Sequence, residues 1–199
     1  MTKDFYSAIK ERRTRYGISK EVSVTNDRIE EIISEAVKHT PSAFNSQSAR
    51  VMILLGENHD RLWEITKESL RQIVPRENFS PTEEKIESFK NGYGSVLFFE
   101  DENIVKSLQE QFPTYKENFP VWSQHSNGML QYVIWTALTV EGLGASLQHY
   151  NEVIEEKVIE NWDIPKGWKL IAQMPFGKPV ANPNDKEFMP LKERVKTLY

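Results

Sequence analysis

The chain is predicted to fold as an α+β or three-layer domain, and three observations carry that expectation. Short apolar runs at Arg50–Gly56, Ser95–Phe99 and Trp168–Phe176 have the length and residue types of strands. Segments with helical apolar spacing separate them, so helices interrupt a small sheet. A long helix over Ser123–Gly144 is apolar on nearly every side in its middle, through Met129, Leu130, Val133, Ile134, Trp135, Ala137, Leu138 and Val140. Such a helix is buried all round, within the domain or in a subunit interface.

Taken in order, Phe5–Arg12 has the spacing of a short helix that buries Phe5 and Ile9, with Ala8 beside them. Thr25, Asn26 and Asp27 form an N-cap region before Ile29, Ile32, Ile33, Ala36 and Val37, and Asp27 with Glu30 has capping-box spacing. That helix is expected to stop near Thr40-Pro41, because proline disfavours helical geometry in the residue before it. Leu62–Val74 and Pro81–Phe89 read as helices, the second with Pro at a permitted first-turn position. Arg50–Gly56 reads as a buried strand, and Trp168–Phe176 is punctuated by Pro175 and closed by Gly177. Beyond Asn182 the tail, about residues 183–199, carries Pro183, Lys186, Pro190, Lys192, Arg194 and Lys196 and is expected to wrap another surface.

Bulk properties narrow the function. The 199 residues suit one domain covering 1–199, able to bury roughly 70% of the surface its unfolded form exposes. A formal net charge of −4 and a pI near 5.7 leave no electrostatic footprint for DNA or RNA. Cysteine is absent, which excludes disulfides, thiol catalysis and thiolate metal sites. The start, Met1-Thr2-Lys3-Asp4-Phe5-Tyr6, lacks the apolar run of a signal peptide. The longest apolar stretch, Met129–Leu143, is interrupted by polar residues and falls short of the ~20 residues of a membrane span. The expectation is a cytoplasmic protein without nucleic-acid or membrane partners.

Four segments carry candidate chemistry. Arg12-Arg13-Thr14-Arg15 ends the first helix, where cations are favoured by the helix dipole. The same residues suit a phosphate, since the planar fork of Arg matches its oxygens and Thr adds a neutral donor. Pro41-Ser42-Ala43-Phe44-Asn45-Ser46-Gln47 is either a polar turn or a set of amides and hydroxyls for a ring edge that alternates carbonyls and N–H groups. Ala145-Ser146-Leu147-Gln148-His149-Tyr150-Asn151 follows the apolar helix as a ligand-facing loop. His149 has no metal-ligand spacing to His39, His59 or His125, so no metal site is expected. Phe112-Pro113-Thr114-Tyr115 and Phe119-Pro120-Val121-Trp122 are aromatic-proline repeats, read as core or as a lid over a flat substrate. Gly142-Leu143-Gly144 is no dinucleotide loop, because no strand precedes it and the third glycine is missing; Gly144 suits a helix C-cap.

At these residues the sequence resembles the nitroreductase superfamily of flavin-dependent oxidoreductases. It is most similar to the subgroup of copper-induced nitroreductases and fatty-acid-repression nitroreductase-like proteins. The resemblance runs from about Phe5 to Lys186 and also includes Val96-Leu97-Phe98-Phe99-Glu100-Asp101. It implies a three-layer α/β/α sandwich with a mostly antiparallel central sheet, dimeric, with FMN at the subunit interface and the tail extending over the partner. Arg12, Thr14 and Lys186, with Arg13 beside them, would grip the FMN phosphate. Ser42 and Ala43, from the partner chain, and Asn45 and Gln47 would reach the flavin. Leu147, Gln148 and His149 would back its ring, with a main-chain N–H near N5; on the lid reading of the aromatic-proline repeats, Phe112, Tyr115, Phe119 and Trp122 would meet the substrate. Family members often carry lysine where Tyr16 stands, and a second cation where Phe188 stands. The implied activity is ping-pong hydride transfer from NAD(P)H to nitroaromatics or quinones, with the chemistry at flavin N5 and no catalytic side chain. The alternative is a flavin-binding stress or signalling protein with incidental turnover.

Overall fold

The computed structural model describes residues 4–199, so Met1, Thr2 and Lys3 of the amino-terminal stretch lie outside the described residues. Its elements are α1 (Phe5–Glu11), β1 (Ile18–Ser19), α2 (Asn26–His39), β2 (Ala49–Leu55), α3 (Glu57–Arg71), α4 (Phe79–Lys90), β3 (Gly94–Asp101), α5 (Glu102–Gln111), α6 (Phe119–Val140), β4 (Gly144–Ala145), α7 (Asn151–Trp162) and β5 (Trp168–Pro179). The sheet runs β1-β5-β3-β2, with β4 also on β5, and every strand pair is antiparallel.

β3 explains why helices cover both faces. Val96, Leu97, Phe98 and Phe99 are all fully buried, so a strand in which alternate side chains face opposite ways must be covered on both sides. Val96 and Phe98 pack with Ile29, Ile33, Leu130, Ile134 and Leu138 of α2 and α6. Leu97 and Phe99 pack with Leu62, Trp63, Ile86, Phe89, Ile154 and Val158 of α3, α4 and α7. The register of β5 against β3 shifts between Phe98 and Phe99, where Ile171 is the extra residue. This bulge sends Leu170 to one core and Ala172, Met174 and Phe176 to the other.

Several expectations are corrected. Phe5 is exposed and Ile9 only half-buried, because α1 buries little more than Ala8. The cap of α2 is Thr25, whose hydroxyl accepts from the Arg28 amide, so Asp27 and Glu30 form no capping box. β2 is an edge strand with only Leu54 buried, and Gly56 caps α3 rather than ending the strand. β5 continues through Gly177 to Pro179, because β1, β4 and β3 all pair along it. α6 starts four residues before Ser123, with Pro120 in its first turn, and ends before Gly142, whose φ of 80° supplies the left-handed turn assigned to Gly144. Within one chain α6 keeps one face open, with Val121, Met129, Tyr132 and Val133 exposed, so of the two expected modes burial wholly within the domain is the one excluded. Strands β1 and β4 and helices α5 and α7 add to the sequence-predicted set. Among the described residues no helix is long and apolar enough to cross a membrane.

A buried histidine ties the second core together. His59 Nδ1 lies 2.9 Å from Ser95 Oγ, and its Nε2 lies 3.2 Å from the Lys90 carbonyl. Trp63 Nε1 donates to the same serine at 3.0 Å. Burial, the dominant cause, pushes His59 down to about 4 from its ordinary 6.5. Unfolded chain therefore takes up a proton below pH 6.5 that folded protein refuses until pH 4. Stability present above pH 6.5 is lost as the pH falls, by roughly 2 kcal/mol at pH 5 from this group. Urea unfolding at pH 7 and pH 5 measures it, and His59→Gln should flatten the difference.

Candidate functional site

The sequence-predicted residues assemble into two groups at opposite ends of α6. At its carboxyl end, the chain leaves α1 at Arg12 in an extended conformation, and Thr14 pairs in parallel with Ala145. The Arg15 amide donates to the Ala145 carbonyl at 2.9 Å. A Cβ on Gly144 would stand 3.0 Å from the Arg15 side chain, so any larger residue would push that side chain back by a few tenths of an ångström. The Arg12 guanidinium stacks on Trp135 of α6, 4.4 Å from the ring centroid. Arg12 Nε and Trp135 Nε1 are both buried donors without an acceptor. An unmade buried hydrogen bond costs about 1–3 kcal/mol, so two beside each other need explanation.

The tail reaches this corner. Arg13 Nη2 donates to the Asn184 carbonyl at 2.6 Å and Arg15 Nη1 to that of Ala181 at 2.7 Å. Lys186 follows two residues on, with its ammonium 5.3 Å from the Phe188 ring. Arg13 is thus a tether for the tail, where the sequence suggested only a neighbour of the phosphate.

Residues 146–150 run beside β5. The amides of Ser146 and Gln148 donate to Pro175 and Gln173 of that strand, which leaves those of Leu147 and His149 on the opposite side. The Gln148 side chain donates to Ser146 Oγ and is buried, and His149 is exposed. Tyr150, which sequence reasoning passed over, is half-buried against Trp63, and burial, then the nearby Tyr16 phenol, pushes it up. Tyr16 itself is half-exposed, beside the Phe89 ring, and the Lys85 ammonium lies about equally near both rings.

At the amino end of α6 stands the loop after α2. Phe44, Asn45 and Gln47 have φ of 55°, 52° and 47°. Left-handed geometry at non-glycine residues costs of order 1–3 kcal/mol each and concentrates at binding sites. Ser42 Oγ accepts from the Gln47 amide at 2.9 Å, and Arg50 Nη1 donates to the Gln47 carbonyl at 2.6 Å. Asn45 and Gln47 are exposed. Phe44 gathers all four aromatic candidates around its ring: Phe112 at 5.0 Å, Phe119 at 5.3 Å, Tyr115 at 5.9 Å and Trp122 at 6.1 Å, nearly parallel to it. Phe119 is buried and serves as the floor of this cluster.

At about 1.5 Å per residue, Trp122 and Trp135 are separated by roughly 20 Å of helix. One chain therefore keeps the Arg12 corner and the Ser42–Gln47 loop apart. A cavity of about 550 Å³ lies between α2, β2 and α6, lined by Ile33, Val37, Val51, Ile53, Leu130 and Trp168. Ser42 and Gln47 stand at its edge, and Arg12 does not touch it.

Comparison with known proteins gives a consistent picture. Residues 9–178 match the model of the nitroreductase family. The chain is 36% identical over 194 residues to the nitroreductase FRM2 of Saccharomyces cerevisiae, covering 94% of each. It superposes with a TM-score of 0.91 on the nitroreductase CinD from Lactococcus lactis in complex with chloramphenicol, at 41% identity, covering 98% of this chain and all of that one. A structure of the lactococcal protein in complex with nicotinic acid superposes at a TM-score of 0.89 with 38% identity, over 98% of this chain and 100% of the other.

Proposed function

The chain belongs to the nitroreductase family and is an oxidoreductase of nitroreductase type, and from that premise we propose that two copies jointly enclose FMN and reduce nitroaromatics or quinones with NAD(P)H. The observation that carries this reading is the division of the site between the two ends of α6. A twofold axis across antiparallel copies of α6 brings the Arg12 corner of one to the Ser42–Gln47 loop of the other, twice over. Gly128 supports that seam. It sits exposed in mid-helix, where a Cβ would meet nothing within this chain, although glycine costs a helix about 1 kcal/mol. Close approach of a second backbone gives that residue a purpose. The tail, with Phe188, Met189, Leu191, Val195 and Leu198 exposed, then extends over the partner subunit.

The residues present fit FMN. Arg12 Nε and Trp135 Nε1 lack the acceptor that an anionic oxygen would provide. Arg12 and Thr14 would hold the phosphate, with Lys186 brought in by the Arg13 tether. Ser42, Ala43, Asn45 and Gln47 of the second copy would meet the ribityl chain and ring edge, and the Leu147 or His149 amide would face N5. Flavin held there would supply the redox chemistry, hydride transfer between NAD(P)H and the acceptor. The protein orients both partners and needs no side-chain nucleophile. The Phe44 cluster suits a flat aromatic acceptor, consistent with the chloramphenicol and nicotinic acid complexes of the lactococcal relative.

Purified protein should be yellow, lose its flavin absorbance on anaerobic addition of NADH or NADPH, and regain it with a nitroaromatic or quinone. A yellow protein that neither nucleotide bleaches would favour the flavin-binding stress or signalling role instead.

A further inference from the structure

We infer that Arg50 and Asp101 are positioning residues that clamp the Ser42–Gln47 loop in its left-handed conformation before any cofactor arrives. The inference rests on the flavin reading above and concerns how that reading's loop is preset.

The loop's internal bonds are few. Besides the Ser42 Oγ bond, the Asn45 amide donates to the Ser42 carbonyl and the Ser46 amide to that of Ala43, each at 3.0 Å. None of these reaches the carbonyl of Gln47, the last of the left-handed residues; Arg50 does, at 2.6 Å. Arg50 is itself immobilised. Its Nη1 also donates to the Ala49 carbonyl at 3.1 Å, its Nη2 to Asp101 Oδ2 at 3.1 Å, and its guanidinium lies over Trp168 at 5.6 Å. Asp101 is anchored in turn: its Oδ1 accepts from the Asn103 amide at the start of α5, and its own amide donates to the Ser48 carbonyl. A chain of bonds thus runs from the α5 terminus through the carboxylate and the guanidinium to the strained loop. The fork of Arg serves three acceptors in different directions, which a lysine point charge does not reproduce. The motif ending in Glu100-Asp101 thereby acquires a role next to the site, though neither residue was assigned one from sequence.

The test uses full-length protein stripped of FMN, with FMN affinity read by fluorescence titration and apoprotein stability by urea unfolding. Arg50→Gln and Arg50→Lys should each weaken FMN binding at least ten-fold while the urea midpoint stays close to wild type, because release of loop strain offsets the lost bonds. Asp101→Asn should weaken FMN in the wild-type background and add nothing once Arg50 is Gln, since it acts through that residue. A lower midpoint with unchanged FMN affinity would mean a merely structural pair and overturn the inference. So would Arg50→Lys binding FMN like wild type, or additive losses in the double variant. Wild-type protein with no FMN affinity would instead remove the flavin reading, and this inference with it.

Discussion

Arg12→Ala combined with Lys186→Ala should give folded protein that purifies colourless and regains FMN only at concentrations hundreds of times higher than wild type needs. The expectation starts from the two orphaned donors, Arg12 Nε and Trp135 Nε1. A hydrogen bond to a charged group contributes about 1.5–3 kcal/mol, so loss of two cationic partners costs roughly 3–6 kcal/mol of phosphate affinity, a factor of at least 10². The two residues are unequal. Arg12 is held on Trp135 at 4.4 Å and is preorganised, whereas Lys186 rides on the exposed tail. Arg12→Ala alone should therefore exceed Lys186→Ala alone. Arg13→Ala should mimic the lysine variant, since it releases the Asn184 tether. Visible absorbance of the purified protein and fluorescence titration of apoprotein measure all four. Full, tight FMN retention in the double variant would remove the phosphate assignment.

The sequence made some of this legible and concealed the rest for physical reasons. α2 was bounded closely because Thr25 caps it and Pro41 forbids its continuation, both local effects. The buried run of β3 was readable because a strand covered on both faces has no polar alternation to obscure it. α6 was only partly placed because Met129, Tyr132 and Val133 are as apolar as core residues, and composition does not separate a face buried within the domain from one available to a second subunit. The candidate residues were identifiable as types, but their grouping was not. Nothing local says that Arg12 and Asn45 lie at opposite ends of a helix more than seventy residues further along the chain. Trp135 looked like one more apolar residue of that helix, and its stacking under Arg12 is a long-range contact. The left-handed backbone at Phe44 was hidden for a different reason: a bulky aromatic residue is the opposite of a positive-φ signal, and only surrounding structure holds it there.

Met129→Glu with Val133→Glu should convert the protein to a folded monomer that has lost FMN. These two side chains lie one turn apart on the exposed face of α6, 43% and 39% accessible, beside Tyr132 and Gly128. Burying a large apolar side chain gives about 1.5–3 kcal/mol, and a twofold seam counts every substitution twice. Four carboxylates facing one another across that seam add repulsion and desolvation, so dimer affinity should fall by at least 10³. The fold itself should persist, because the inner face of α6, including Leu130, Ile134 and Leu138, is untouched. Cofactor loss follows from geometry rather than chemistry. Neither substitution alters a residue assigned to FMN, yet with roughly 20 Å of helix between the Arg12 corner and the Ser42–Gln47 loop, a lone subunit would offer only half of the proposed site. Scattering mass and flavin absorbance on one sample check both consequences. A monomer that still holds one FMN per chain would break the link between the helix seam and the site, and with it the reason for dividing the binding residues between two copies.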